Sequence, residues 1–232
     1  MLTVRPCKID QVGVPGVDDM TVVAVQSSEI IGIMADSHGQ ADTIRDALAV
    51  FADAGCRSVY HLGDVCDSTH PETANACVRL LHERRVKTIK GNNDQAIVAN
   101  HIDRAKSPVS PEVLQALKKL ELVKYYQNAM FIHSLPFIRE LGLSSMIGTM
   151  GLQEIRRFCN EFSGDILFRG HSHNPEIAWL QGRQVRVQSL SAGVQLDLSE
   201  RIPCVVTCGA LTRGLCMIWD PEENFIESIS FR

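Results

Sequence analysis

The chain contains no close Cys-x-x-Cys pair, although eight cysteines are scattered through its 232 residues. That excludes a thiolate zinc ribbon and a dithiol redox motif. A chain of this length does not need disulfide staples, so the thiols read as reduced and buried. No apolar run approaches the roughly 18 residues that a membrane span requires. The first residues lack the charged-then-apolar pattern of a secretory leader. The expectation is a cytoplasmic protein without a membrane partner. Basic excess is also missing: the net charge is −4, so there is no strong nucleic-acid footprint. There is no internal repeat and no low-complexity tract. What remains is an ordinary globular composition, 45% hydrophobic, sized for one sizeable domain.

The organising stretch is Ile30-Ile31-Gly32-Ile33-Met34-Ala35-Asp36-Ser37-His38-Gly39. An apolar run stopped by a turn signal reads as a buried strand. Its carboxylate and imidazole emerge at the C-terminal edge, where α/β sheets bind ligands. The pattern then repeats. Ala41 to Ala54 has Ile44, Leu48 and Phe51 at helical spacing, with Gly55 as a stop. Arg57 to Leu62 is a strand running into Gly63-Asp64-Val65-Cys66-Asp67. Pro71-Glu72 opens a helix over Thr73 to Arg84. Val86 to Lys90 is a third strand, running into Gly91-Asn92-Asn93-Asp94. This alternation predicts parallel crossovers.

Ser110 is the expected cap of a helix through Leu120. Ala129 to Ile132 is a strand ending at His133-Ser134, and residues 135–150 read as a loop walling the site. Leu152 to Phe162 reads as a helix. Asp165 to Phe168 is a strand delivering Gly170-His171-Ser172-His173. Beyond it, short strands at 177–180, 184–190, 204–208, 215–219 and 225–231 suggest a mostly antiparallel second layer. Residues 1–28 read as an N-terminal extension with a possible edge strand over Met20 to Gln26, and residues 29–232 as one domain.

Five strand ends thus carry Asp36, His38, Asp64, Asn92, His133, His171 and His173. The set holds oxygen and imidazole nitrogen but no thiolate. It suits Mn, Fe, Co, Ni or Zn, and seven ligands suit two ions better than one.

As an ordered set, Asp36-Ser-His38, Gly63-Asp64-Val-Cys-Asp67, Gly91-Asn92-Asn93-Asp94, the lone His133 and Gly170-His171-Ser-His173 resemble the calcineurin-like metallophosphoesterase superfamily. The likeness is greatest to its small bacterial and archaeal phosphodiesterases. The resemblance implies an α/β fold, two mixed sheets packed as a sandwich and flanked by helices. It implies two divalent metal ions. Asp36, His38, Asp64 and His173 would hold one, and Asp64 would bridge to a second held by Asn92, His133 and His171. Asn92 and Asn93 would meet the substrate, a small phosphoester or nucleotide. Ions about 3.5–4 Å apart would clamp phosphoryl oxygens and turn a bridging water into the nucleophile.

Three departures stand out. Many relatives carry histidine where this chain has Asn93, and an amide cannot act as a general acid. Asp67-Ser68-Thr69 departs from the Asp-Arg-Gly of protein phosphatases, and Thr207-Cys208-Gly209-Ala210 from the Asn-Pro-Gly-Ser of small relatives. The rival expectation is a weakly catalytic or non-catalytic interaction scaffold on the same fold. Scaffolds tend to lose ligands, whereas all seven are present here.

Overall fold

The structure, a computed structural model, describes residues 29–137 and 142–231. The expected extension over 1–28, with its edge strand, lies outside the described residues.

Two six-stranded mixed sheets face one another. The first runs β3 (Lys87–Thr88), β2 (Ser58–His61), β1 (Ile31–Met34), β11 (Leu215–Asp220), β12 (Phe225–Ser230) and β9 (Gln195–Asp197). The second runs β4 (Val123–Tyr126), β5 (Ala129–Ile132), β6 (Ile166–Arg169), β10 (Cys204–Thr207), β7 (Glu176–Gln181) and β8 (Gln184–Ser189). The parallel pairs β1–β2, β2–β3, β5–β6 and β6–β10 send their C-terminal ends to one edge.

Strand alternation decides which side chains meet. Ile31 and Ile33 point into the core between the sheets, whereas Met34 joins the core under the helices. The inter-sheet core centres on rings. Tyr60 stacks on Phe131 with centroids 3.9 Å apart, Phe131 lies 5.4 Å from Phe168, and Phe168 lies 4.9 Å from Trp219. Tyr60 and Trp219 come from one sheet and the two phenylalanines from the other, so this cluster stitches the layers together. Such ring pairs add about 0.5–1.5 kcal/mol each beyond their buried area.

Helices cover the outer faces. On the first sheet, α1 (Ala41–Asp53) buries Ile44, Ala47 and Phe51. Beside it, α2 (Ala74–Glu83) buries Cys77, Leu80 and Leu81. Two more helices, α3 (Asn92–His101) and α4 (Pro111–Lys119), complete this layer. Ser110 caps α4 as expected, its hydroxyl accepting from Val113 N. A short α5 (Leu143–Ile147) follows, and α6 (Leu152–Glu161) buries Ile155, Phe158 and Cys159. No helix among the described residues is long and apolar enough to cross a membrane.

Several sequence expectations need correction. The C-terminal strands do not form a layer of their own. β11, β12 and β9 complete the first sheet, while β10 pairs parallel to β6 inside the second. The reason is burial: β1 and β6 are apolar on both faces, and each needs a neighbour on both edges. α5 occupies part of the expected loop over 135–150, and α3, β4 and β9 form where the sequence pattern predicts no element. β3 is shorter than Val86 to Lys90, because Lys90 N leaves the ladder to donate to Glu121 O.

Candidate metal centre

The site is assembled from loops that leave the parallel strand ends. Their backbone is unusual. Eight non-glycine residues among those described have positive φ, and five of them are Asp36 (57°), His38 (42°), Asp64 (54°), His171 (68°) and His173 (63°). A left-handed conformation costs a residue with a Cβ about 1–2 kcal/mol. Strain of this kind persists only where the surroundings enforce it, and it clusters at functional sites.

Hydrogen bonds between loops supply the enforcement. Asp36 N donates to Gly63 O, His38 N to Asp64 O and Gly39 N to Val65 O. Gly170 N donates to His133 O, and His171 N donates to Asp36 Oδ2 at 3.0 Å. Close approach needs glycine at one junction above all. A Cβ on Gly91 would sit 2.1 Å from Asp64 N and 2.2 Å from Asp64 Oδ1. Gly91→Ala should therefore displace Asp64. Overpacking typically costs about 1–3 kcal/mol, and this contact is with backbone, which relaxes least. The expected result is a lowered melting temperature with loss of metal uptake; a variant that keeps both would show the loops to be less constrained than drawn.

Two groups of three side chains converge. Asp36, His38 and His173 form one; Asp64, His133 and His171 form the other. Within each group, one ligand atom per residue lies within 4.8 Å of the others. In the first, His38 Nε2 is 3.2 Å from His173 Nε2, and His173 Nε2 is 3.5 Å from Asp36 Oδ1. In the second, His171 Nδ1 is 3.1 Å from His133 Nε2. Asp64 faces both groups: Oδ2 lies 3.9 Å from His38 Nε2, and Oδ1 lies 3.6 Å from His133 Nε2.

The donor chemistry fits cations. His133 Nδ1–H donates to Leu62 O at 2.7 Å, which leaves Nε2 as the nitrogen that faces the cluster. Asn92 Oδ1 lies 3.1 Å from that nitrogen. The same amide position is 3.2 Å from His171 Nδ1 and 3.3 Å from Met146 O. An amide turned about would donate to all three. With its oxygen inward, Asn92 adds a further lone pair that a bound cation would satisfy. Asp36 Oδ1 is fully buried and has no hydrogen-bond partner. A buried, unpartnered carboxylate oxygen beside two imidazoles is costly unless a cation meets it.

Electrostatics reinforce this picture. Burial alone would raise the Asp36 carboxyl. The close approach of His173, 3.5 Å from Oδ1, and the neighbouring His133 and His38 outweigh it and hold Asp36 below the ordinary carboxylate value. His173 is raised, chiefly by its approach to the Asp36 carboxylate. Burial and His133 together depress His171. The Arg169 guanidinium, buried at the base of this edge, donates to Ser134 O and Thr207 Oγ1 and is pushed down to about 10 by burial.

All seven expected ligands thus lie at one edge. Asn93 is placed differently from a residue reaching into solvent. Its N and Nδ2 donate to the two Asp64 oxygens at 2.8 Å each, and its Oδ1 accepts from Ser68 Oγ at 2.7 Å. Asp67 closes its own turn by accepting from Thr69 N and Oγ1.

Sequence reasoning missed three supporting residues. Asp94 is buried and accepts from Cys66 N and Gly91 N, tying two site loops together. Burial and the Asp64 charge raise its carboxyl. Its position as the third helical residue after Gly91 was the available signal. Ser37 donates to Val65 O and so accepts from His61 Nε2–H at 3.0 Å. Burial drives His61 down to about 3, so the ring is neutral.

Residues 30–200 match the calcineurin-like phosphoesterase superfamily domain. The chain belongs to that superfamily of metal-dependent hydrolases. A metallophosphoesterase from Sphaerobacter thermophilus shares the fold at a TM-score of 0.68 and 20% identity, over 89% of this chain and 90% of that one. A hypothetical protein from Pyrococcus horikoshii OT3 does so at 0.60 and 14%, over 87% of each. No curated protein matches the chain.

Proposed function

We propose that this protein is a dinuclear metal-dependent phosphodiesterase acting on small phosphodiesters or nucleotides. The observation that carries the reading is the pair of lone-pair nests joined by Asp64. Asp36, His38 and His173 would hold one divalent ion, and Asn92, His133 and His171 the other, with Asp64 shared. Bound ions would stabilise charge on phosphoryl oxygens and lower the pKa of water. The protein's own contribution is preorganisation. Leu62 O fixes the His133 tautomer, His171 N orients Asp36, and Asn93 orients Asp64. Left-handed turns hold these atoms before substrate arrives, so little reorganisation remains for the reaction. Mn, Fe, Co, Ni and Zn all suit the donor set. The complete ligand set also favours catalysis over a scaffold role.

Reconstitution with manganese followed by elemental analysis should give about two equivalents per chain, the two-metal expectation. Protons compete for the same lone pairs. Occupancy should fall as pH drops through the raised His173 value, where that ring takes up a proton. One equivalent or none at neutral pH would overturn the dinuclear reading.

A further inference from the structure

Asn92 is only partly buried, at the edge of the ligand cluster. One turn along α3, Gln95 lines a groove of about 570 Å³. Its other walls include Lys119 and Leu120 at the end of α4, and Leu143 and Met146 of α5. The groove and the candidate metal centre share a wall, since the Asn92 amide lies 3.3 Å from Met146 O.

Exposed apolar side chains collect beside this groove. Six large apolar side chains are exposed among the described residues, and three are Leu143 (62%), Ile147 (49%) and Leu152 (61%). Singly exposed apolar residues are ordinary. Leu143 and Ile147 are one turn apart on the same face of α5, and Leu152 follows within five residues. Apolar clusters beside a polar site mark ligand contact. The segment is also anchored to the site. Ser134 N and Leu135 N both donate to Ser145 O, holding α5 against the strand end that carries His133.

We infer that this groove is a subsite for a flat, nucleoside-sized group on one ester arm of the substrate. The inference rests on the phosphodiesterase reading above and names the substrate class within it. Volume permits it, since small-molecule sites span about 300–1,000 Å³. Leu120, Leu143 and the Met146 thioether offer apolar and polarisable surface to a ring. Gln95 carries both an amide donor and an acceptor, which suits the polar edge of a heterocycle and has no use for an alkyl chain. Lys119 at the rim complements an anionic substrate, while the Glu121 carboxylate in the same lining is paired with Lys124.

The test is calorimetric binding of thymidine 5′-monophosphate and of methyl phosphate to the manganese-loaded protein. Both carry a phosphate, and only one carries a base. The native protein should bind the nucleotide at least tenfold more tightly. In a Leu143→Ser, Gln95→Ala double variant that preference should fall below threefold, with methyl phosphate affinity kept. The two single variants serve if the double variant fails to fold. Equal affinities in the native protein, or an undiminished preference in the variants, would overturn the subsite. Turnover of bis-p-nitrophenyl phosphate is measured in parallel. Turnover without nucleotide preference sinks the groove alone. Preference without turnover sinks the phosphodiesterase reading and leaves a nucleotide-binding groove.

Discussion

On the dinuclear reading proposed above, Asp64→Asn is expected to lower metal content from two equivalents to one or fewer, and turnover should fall with it. The reason is that both Asp64 oxygens are committed. Each accepts a hydrogen bond from Asn93 at 2.8 Å while facing a different histidine, 3.9 Å away for His38 and 3.6 Å for His133. An asparagine keeps the volume but removes the negative charge and one acceptor. Its NH₂ would meet a donor from Asn93 or an imidazole lone pair, and it cannot hold two cations together. Loss of a group that merely orients a metal ligand typically costs about 10–100-fold, so loss of a shared ligand should cost more than 100-fold. The apo fold should change little, because the substitution also relieves repulsion with the Asp94 carboxyl, which burial first and the Asp64 charge second raise. Elemental analysis and kcat/KM on one activated diester measure both effects. A variant with full occupancy and full activity would remove Asp64 from the shared position.

Much of this was legible in the sequence because the chemistry sits where periodicity is strongest. The apolar strands β1, β2, β5 and β6 each end in a ligand, and strand ends on one edge converge. Ser110 announced α4 through a local cap. Other parts carried no local signal. α3 begins Asn-Asn-Asp and spreads its few apolar residues without a clear stripe; tertiary burial of Asp94, Ile97 and Val98 holds it. β4 and β9 are short strands at sheet edges, with only partial burial. The allocation of β10 and β11 to different sheets depends on which exposed strand edge each covers, a non-local matter. The left-handed turns at Asp36, His38, Asp64, His171 and His173 were invisible too. Nothing in Asp-Ser-His or His-Ser-His demands positive φ; bonds from neighbouring loops impose it.

The most discriminating experiment concerns Asn93, an amide held against the Asp64 carboxylate. An amide cannot protonate a leaving group, so the native enzyme should show a steep dependence of rate on leaving-group pKa. Activated aryl diesters should be cleaved far faster than alkyl ones. What Asn93 does instead follows from its bonds: two donated to Asp64 and two accepted from Ser68, from its N and its Oγ. Asn93→Ala keeps the backbone bond and loses the side-chain one. It should lower rates by about 10–100-fold for every leaving group alike, as expected for a group that orients a metal ligand. The two lines of log rate against leaving-group pKa should be parallel. Asn93→His adds an acid but cannot reproduce the bonds to both Asp64 and Ser68. If the imidazole reaches the leaving group, poor leaving groups should gain most, since general acid catalysis typically contributes 10²–10⁴-fold, and the line should flatten. A flattened histidine line beside a parallel alanine line would separate two functions at one position: orientation of Asp64, which asparagine performs, and proton donation, which it lacks. If Asn93→Ala itself changes the slope, Asn93 touches the leaving group directly and its bonds to Asp64 are incidental.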